Sequence, residues 1–263
     1  MITDNSDILL DLEAWYSRTN GHYLLENIRN SLETTLDTAF GYHVLQLGVT
    51  RQHPLFEHSH INHRVYAAEK AGNGIGLVTQ SDELPLESDS IDILIAHHSL
   101  EFAENPHQVL REMQRVLAPQ GQLMIIGFNP YSALGGMAYA KGLSRRSMWH
   151  HHYPVSAGRV TDWLHLLGCE VQRSSYLYAV PPLGSGKLRD LMIRCDTWFK
   201  AHNAPVGGLY ILHAVKQTIG MNRPRRRLLA SGERLIDLAV PKPRSVPSPA
   251  PSVHKVSPGE VAA

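Results

Sequence analysis

The sequence from Ser90 to Pro130 reads SIDILIAHHSLEFAENPHQVLREMQRVLAPQGQLMIIGFNP. A short apolar, β-branched run over residues 91–96 is typical of a strand that is buried on both faces. Pro106 then begins a helix, because proline is favoured at the first helical position. The Pro119–Gly121 break ends this helix, and the apolar run at residues 123–126 is a second buried strand. Strand, helix and strand with short connections predict one right-handed βαβ unit of a parallel sheet.

The predicted helix has a capping residue and one apolar face. Asn105 directly precedes Pro106, and its side chain can accept a hydrogen bond from the first helical turn. This amphipathic pattern predicts that the helix packs against one face of the sheet. The apolar residues recur at helical spacing: Val109, Leu110, Met113, Val116 and Leu117.

Polar residues follow the first of these two strands. His97, His98 and Ser99 come directly after residue 96, at the carboxyl end of the strand, where open α/β sheets bind ligands. An imidazole at this position can act as a general base. His97 and His98 are therefore candidate catalytic residues. The alternative is that they line the pocket or hydrogen-bond to the backbone.

Composition excludes several classes of protein. The chain has 263 residues, 43% of them hydrophobic, which is enough for a sizeable core. Its net charge of +1 argues against a globally basic nucleic-acid binder. Two cysteines, Cys169 and Cys195, are too few for a disulfide framework or a zinc cage. An acidic N-terminal segment and the lack of an apolar stretch of about 18 residues predict a protein without a signal peptide or membrane span. We expect a cytoplasmic protein.

The rest of the chain continues the α/β pattern and divides into three parts. The pattern predicts a helical cover at residues 1–40 and a sheet domain at residues 41–220, with an insertion at 130–154. It also predicts a basic, Pro-rich, disordered tail at residues 221–263. Its RPRRR run at 223–227 could bind nucleic acid or an acidic surface, or could simply be solvated. Further helices are predicted at 7–17, 22–39, 156–167 and 187–200, and further strands at 42–48, 64–69, 76–80, 170–180 and 209–219.

The order of motifs from Ser90 to Pro130 resembles that of the class I S-adenosylmethionine (SAM)-dependent methyltransferases. Among these it is most similar to the type 11 methyltransferase domain group. The likeness runs from about Tyr42 to Asn129. Its most specific part is the helix signature L-R-E-x-x-R-V-L at 110–117, followed by Pro119 and Gly121. The resemblance implies a Rossmann-like, doubly wound, mostly parallel sheet of seven strands with an antiparallel edge strand. It also implies SAM as cofactor.

The first expected cofactor contact is the loop after the first strand. The family pattern has an acidic residue and several glycines there, because a Cβ would clash with the bound ligand. This chain has Gln46 and Gly48, but Val49 and Thr50 stand where further glycines are expected. The departure leaves cofactor binding open. Gln46 and Gly48 are predicted to contact SAM, and Arg51 could pair with its carboxylate.

Other cofactor contacts are implied at the ends of the next strands. Glu69, at the end of the second strand, matches the family's ribose-binding acid, since a carboxylate can accept two hydrogen bonds. Gln80 and Ser81, with Asp82 as the weaker candidate, match the loop that frames the adenine. His97 is expected to face the cofactor from the strand beside the glycine loop.

The chain has 16 histidines, which raises the question of a metal site. The clusters are His53 to His63 and His150 to His152. Three adjacent histidines on one regular element cannot all face one ion, and no cysteine or paired carboxylate completes a ligand set. We expect no physiological metal.

The sequence thus predicts an enzyme that transfers a methyl group from SAM to a small or medium organic acceptor. Tyr131, Trp149 and Tyr153 of the insertion are expected to close over that acceptor. One alternative is a catalytically degenerate methyltransferase-fold module that binds or regulates, which the poor glycine loop supports. Another is a nucleic-acid methyltransferase that uses the basic tail. The chain lacks a [DNS]-P-P-[YFW] motif after the fourth strand, which lowers only the amino-methylating subclass.

Overall fold

Helices and strands alternate along the chain in the computed structural model, which describes residues 5–49, 54–57, 59–143, 148–178 and 187–217. All of these residues belong to the unit Met1–Met221. The predicted tail at 221–263 lies outside the described residues. The helices are α1 (Asn5–Tyr16), α2 (Thr19–Thr38), α3 (Pro106–Val116), α4 (Ala133–Gly142), α5 (Ala157–Leu166) and α6 (Lys187–Ala201). The strands are β1 (His43–Gly48), β2 (His63–Ala68), β3 (Leu77–Val78), β4 (Ile91–His97), β5 (Leu117–Phe128), β6 (Cys169–Leu177) and β7 (Leu209–Lys216).

The seven strands form one sheet in the order β3-β2-β1-β4-β5-β7-β6. Strands β1 to β5 pair in parallel, whereas β7 is antiparallel to both β5 and β6. The prediction of a mostly parallel, seven-stranded α/β sheet is therefore confirmed. The antiparallel strand is β7, which lies one place in from the edge, and β6 forms the edge itself.

Alternate residues of each central strand face opposite sides of the sheet. In β4, Ile93 and Ile95 pack with α1, α2 and the insertion, whereas Leu94 and Ala96 pack with α3 and α5. This alternation follows from the two-residue period of a strand. Because His97 continues the series, its ring lies on the side of α1 and α2. The helix α3 begins as predicted, with the Asn105 side chain accepting a hydrogen bond from the Gln108 N–H.

Polar contacts fix α6 against α2. The Tyr23 hydroxyl donates to the Asp196 carboxylate at 3.0 Å, and the Lys200 ammonium donates to the Asn27 side chain at 3.3 Å. Asp196 is buried, so removing Tyr23 would strip a hydrogen bond from a buried carboxylate. The chain between β6 and β7 thus returns across the N-terminal helices.

The connections around β2 and β3 are short. Residues 54–57 and 59–62, between β1 and β2, contain only turns and bends, as do residues 69–76 between β2 and β3. No helix is described between β1 and β2 or between β2 and β3. Instead, α1 and α2, which precede β1 in the chain, cover one face of the sheet. None of the helices in the described ranges is both long and apolar enough to cross a membrane.

A partly buried ion pair explains the helix signature. Glu112 accepts a hydrogen bond from the Leu84 N–H at 3.2 Å, and the Arg115 guanidinium donates to the carbonyls of Leu84 and Leu86 at 2.9 Å each. The two side chains also bond each other at 2.8 Å. The pair holds the loop between β3 and β4 against α3. These residues support the fold and lie outside the reaction centre.

Replacing Arg115 tests this support. Arg115→Met should lower the free energy of unfolding by roughly 1–3 kcal/mol, since two backbone carbonyls and Glu112 lose a charged donor. Arg111→Met, on an exposed position of the same helix, is the matched control and should change stability by less than about 0.5 kcal/mol. Urea unfolding of both variants measures the difference. Equal effects of the two substitutions would contradict the role assigned to Arg115.

Candidate active site

The candidate site lies where the carboxyl ends of β1 and β4 meet. Gly48 pairs with His97 at the last position of this parallel register. Strand order reverses here, because β1 is flanked by β2 on one side and by β4 on the other. Ligands of open α/β sheets bind at such a switch point. Backbone bonds close the edge, with the Val49 N–H donating to the His97 carbonyl at 3.1 Å.

An unusual backbone conformation brings two histidine rings together. Adjacent strand residues normally face opposite sides of a sheet. His98 has a φ of 57°, in the left-handed region that is uncommon for residues other than glycine. The turn places its ring beside that of His97, with 4.5 Å between ring centroids. Both histidines are fully buried.

A chain of hydrogen bonds runs through both rings. The Tyr16 hydroxyl, from the last residue of α1, lies 2.7 Å from His98 Nε2 and 3.2 Å from His97 Nε2. His97 Nδ1 lies 3.2 Å from the Val49 carbonyl, and His98 Nδ1 lies 2.7 Å from Glu101 Oε2. The chain therefore links five residues from α1, the β1 loop and the end of β4.

The Val49 carbonyl sets the direction of the whole chain. A carbonyl only accepts, so the hydrogen of a neutral His97 sits on Nδ1 and its Nε2 accepts from the Tyr16 hydroxyl. The Tyr16 oxygen then accepts from His98 Nε2–H, which leaves His98 Nδ1 as an acceptor. Glu101 Oε2 must therefore carry a proton and donate it to His98. Its other oxygen accepts from the Phe128 N–H.

The burial of these groups favours the same assignment. Burial raises the pKa of Glu101 to about 8, although His152 and the Phe128 N–H partly oppose the rise. Burial lowers the pKa of His98 to about 3. It also lowers the pKa of His97 well below its ordinary value, with a further lowering from His98. At neutral pH the glutamic acid is therefore protonated and both imidazoles are neutral.

Aromatic side chains enclose the cluster. The Phe128 ring stacks on His98 with 4.1 Å between centroids and 17° between planes. Trp149 packs edge-on against Phe128, and His152 lies beside both. Gly127 leaves space for the neighbouring polar groups, because a Cβ there would lie 2.4 Å from the Tyr210 hydroxyl and 2.7 Å from Glu101 Oε1.

The protonation of Glu101 predicts a specific pH dependence. The folded protein holds this proton up to about pH 8, whereas the ordinary carboxyl releases it near 4.5. The unfolded state therefore binds fewer protons in this window, and stability falls as pH rises. At pH 6.5, the ordinary histidine pKa, each of these two histidines still holds about half a proton in the unfolded state and offsets the fall, whereas from about pH 7.5 both are almost entirely neutral in both states.

Glu101→Gln should keep the fold and remove this contribution, because the amide NH₂ can donate to His98 as the acid does. We expect wild-type stability to fall by up to roughly 1 kcal/mol per pH unit between about pH 7 and 8, and the variant to lose that fall. Urea unfolding at several pH values measures it. Glu112→Gln is the control. Arg115 lowers the pKa of Glu112, so Glu112 does not titrate in this pH range and its replacement should leave the wild-type slope unchanged. An unfolded Glu101→Gln would indicate an ionised Glu101, which needs two acceptor oxygens.

Gly48 is required by the protein's own backbone. Its φ is 99°, and a Cβ would lie 1.9 Å from the His97 carbonyl oxygen. The Tyr66 hydroxyl donates to the Gly48 carbonyl and helps to hold this conformation. The sequence analysis attributed the glycine to close approach of a ligand. The structure adds a nearer cause, the close pairing of Gly48 with His97 where β1 and β4 end.

Gly48→Ala should therefore be strongly destabilising before any ligand is considered. We expect a loss of about 2–4 kcal/mol or failure to fold, from the positive φ and the clash together. Gly136→Ala is the matched control, since a Cβ there meets nothing within 4 Å and the residue is helical. It should be neutral or stabilise by up to about 1 kcal/mol. Thermal unfolding of the two variants compares them, and a Gly48→Ala protein as stable as wild type would contradict the packing described above.

Gln46 holds the loop that follows β1. Its side chain is fully buried, donates to the Val49 carbonyl at 3.3 Å and accepts from the Leu55 N–H at 2.7 Å. The Val49 side chain is itself buried in the core against α2. A residue with a Cβ is tolerated at this second position because its side chain points into the core. Thr50 and Arg51 lie outside the described residues.

The other predicted cofactor residues lie along the same edge. Glu69 directly follows β2 and is half-buried. Gln80 and Glu83 form a short antiparallel bridge after β3, and Ser81 and Asp82 occupy the turn between them, both half-buried. The strands β3, β2, β1 and β4 are neighbours, so their carboxyl ends bring these residues to one edge together with His97.

The sequence analysis did not predict Tyr16, Glu101 or Tyr210 as site residues, and it named Ser99 only as one of the polar residues that follow β4. The hydroxyls of Ser99 and Tyr210 are buried and have no hydrogen-bond partner. The Ser99 hydroxyl lies close to Gly48, 2.9 Å from where a Cβ would stand. Tyr16, Ser99 and Tyr210 come from three distant parts of the sequence.

The insertion is partly helical, and its residues Trp149 and His152 pack on the cluster. Trp149 is buried against Phe128, whereas Tyr131 and Tyr153 are 80% and 59% exposed. Gly135 is a close-packing residue, since a Cβ would lie 2.4 Å from the Asn129 carbonyl.

The histidine clusters are dispersed. His150 is exposed and bonds the Gly142 carbonyl, whereas His152 packs among aromatic rings. His43 and His63 bond each other at 2.7 Å. Among the described residues, no group of three or more His, Cys, Asp or Glu side chains could hold a metal ion. His53 and His58 lie outside those residues.

Comparisons with known proteins agree with this architecture. Residues 59–125 match the family model of a methyltransferase domain. The uncharacterized protein YafS of Escherichia coli strain K12 is 27% identical over 234 residues, which cover 84% of this chain and 92% of YafS.

Two solved structures share the fold. A SAM-dependent methyltransferase of Thermotoga maritima, named as a possible histamine N-methyltransferase, aligns with a TM-score of 0.56 and 15% identity over 81% of this chain and 100% of its own. A SAM-dependent methyltransferase of Archaeoglobus fulgidus aligns with a TM-score of 0.54 and 13% identity over 79% and 99%. With the match of residues 59–125 to the family model, they confirm the predicted resemblance in its fold: the chain has the fold of the class I SAM-dependent methyltransferases.

Proposed function

We propose that this chain, a methyltransferase-domain protein with the class I SAM-dependent fold, binds SAM at the carboxyl edge of β1, β2 and β4. It transfers the methyl group to a small or medium organic acceptor. The observation that carries the proposal is the unpaired Ser99 hydroxyl, buried beside Gly48 at the switch point of the sheet. A buried hydroxyl without a partner costs about 1–3 kcal/mol, which a polar ligand at this edge would recover.

The residues along the edge suit such a cofactor. Glu69 offers carboxylate oxygens at the end of β2, where two ribose hydroxyls could donate to them. Gln80, Ser81 and Asp82 surround the turn after β3 and would frame the adenine. Gln46 would act through the loop that it holds, and His97 through its position beside Gly48. When bound, SAM supplies a methyl group on a positively charged sulfur.

The protein's contribution would be mainly positioning. Alignment of two reactants can supply roughly 7–11 kcal/mol of the barrier. Trp149 packs edge-on against Phe128, and this contact brings the insertion at 130–154 next to the histidine pair. We propose that this segment covers the acceptor. The free cysteines, Cys169 and Cys195, suit the cytoplasm, where thiols stay reduced.

A degenerate module that does not catalyse is the second candidate function. Its support is the sequence at the end of β1 and in the loop that follows. Gln46 of β1 stands in place of the family's acid and holds the loop by hydrogen bonds, and Val49 stands in place of a glycine. In that case the edge would bind no SAM, and the buried cluster would serve packing alone. Binding of cofactor product separates the two functions without knowledge of the acceptor.

Calorimetric titration with S-adenosylhomocysteine is the test. We expect wild type to bind it, and Ser99→Ala to bind it about three- to tenfold more weakly, since one hydrogen bond is worth about 0.5–1.5 kcal/mol. Ser90→Ala is the matched control, because Ser90 lies at the opposite end of β4 and bonds the Glu87 carbonyl. It should bind as wild type does. No measurable binding by folded wild type would overturn the proposed function in favour of the degenerate module.

A further inference from the structure

We infer that the Nε2 atoms of His97 and His98 together form a recognition site for a hydroxyl group, and that the Tyr16 phenol occupies this site in the structure. The acceptor of the proposed reaction would then be an aromatic hydroxyl compound. This last step rests on the proposed function, whereas the hydroxyl site itself does not.

The hydrogen-bond pattern is specific for a hydroxyl group. Bonded to the Val49 carbonyl, His97 presents a bare Nε2 that accepts. Bonded to protonated Glu101, His98 presents an Nε2–H that donates. A hydroxyl has one hydrogen to give and lone pairs to accept with, so it satisfies both nitrogens at once. An ammonium can only donate and a carboxylate can only accept, and either would leave one buried nitrogen unmatched.

The geometry around Tyr16 shows that the site takes an aromatic ring. The Tyr16 ring centroid lies 5.1 Å from that of His97 and 5.8 Å from that of His98. Trp15 meets the Tyr16 ring edge-on at 5.0 Å. Tyr16 is only 3% exposed, so the protein already accommodates a complete phenol between the histidine pair and α1.

The position of Tyr16 in the chain lets the site be vacated. Tyr16 is the last residue of α1, and only Ser17 and Arg18 separate α1 from α2. Movement of this 12-residue helix would withdraw the phenol, and it would also draw Leu12 away from the core that it shares with Ile93 and Ile95. An acceptor hydroxyl that replaced Tyr16 would meet the same two nitrogens.

The same arrangement provides for removal of the hydroxyl proton. A hydroxyl bound here directs its hydrogen at His97 Nε2, which receives the proton when the oxygen loses it. The oxygen keeps the hydrogen bond from His98 Nε2–H, which stabilises the negative charge left on it. Glu101 maintains this bond by holding His98 in the donating tautomer.

Ligand rescue of a cavity variant tests the inference without cofactor. Tyr16→Ala removes the phenol and should bind p-cresol at least about tenfold more tightly than toluene, because only p-cresol satisfies both nitrogens. Benzylamine should bind no better than toluene. Tyr16→Phe is the matched control, since its ring fills the space, and it should bind none of the three. Calorimetric titration of each folded variant measures the affinities.

Several results would overturn the inference. Equal affinity of Tyr16→Ala for p-cresol and toluene would indicate an apolar cavity only, and a folded variant that binds neither would exclude a phenol site. If Tyr16→Ala does not fold, histidine ¹⁵N NMR on wild type decides. We expect His97 as the Nδ1–H tautomer and His98 as the Nε2–H tautomer, and the reverse pattern would refute the site. Failure of S-adenosylhomocysteine binding with successful p-cresol rescue would refute the proposed function and leave the hydroxyl site intact.

Discussion

The left-handed backbone at His98 is the constraint on which the candidate site depends. In an ordinary strand, His98 would face α3 and α5, and His97 alone would face α1. The positive φ costs of the order of 1–3 kcal/mol for a residue other than glycine. Bonds on every side offset that cost, namely His98 N–H to the Ile126 carbonyl at 3.0 Å, Nδ1 to Glu101 and the stacked Phe128 ring. Such strain at a sheet's switch point is typical of a site that positions side chains for a ligand.

Charge neutrality makes this cluster tolerable in the interior. Four polar side chains, those of Tyr16, His97, His98 and Glu101, would be costly to bury as ions, because each lost hydration shell costs several kcal/mol. One proton on Glu101 removes the need for any ion, since every member of the chain then has a donor facing an acceptor. Burial also raises the pKa of Tyr16 well above its ordinary value, so its hydroxyl stays protonated. The cluster is therefore a neutral, directional network.

The sequence predicted the sheet well because its signals are local. The apolar runs of β1, β4 and β5, the capped helix α3 and the short connections each follow from the periodicity of a few neighbouring residues. The site needed contacts between distant residues. The Tyr16 hydroxyl meets His98 across 82 positions of sequence, and nothing near Tyr16 indicates that contact. The role of Glu101 could not be predicted for a different reason. In the stretch SLEF it resembles an acidic residue on the surface, and only the structure shows that it is buried.

The departure from the family's glycine loop has a physical explanation that bears on the proposed chemistry. Gly48 needs a conformation that other residues avoid, while Val49 turns its side chain into the core. The backbone of Val49 then bonds His97 twice, its N–H donating to the His97 carbonyl and its carbonyl accepting from Nδ1. The position of the loop and the tautomer of His97 are thereby linked. A ligand that displaced this loop would remove the acceptor at Nδ1 and, with it, the reason for Nε2 to accept. The proposed cofactor edge and the proposed hydroxyl site therefore meet at Val49, and the hydrogen-bond pattern of the hydroxyl site requires the loop to stay in place.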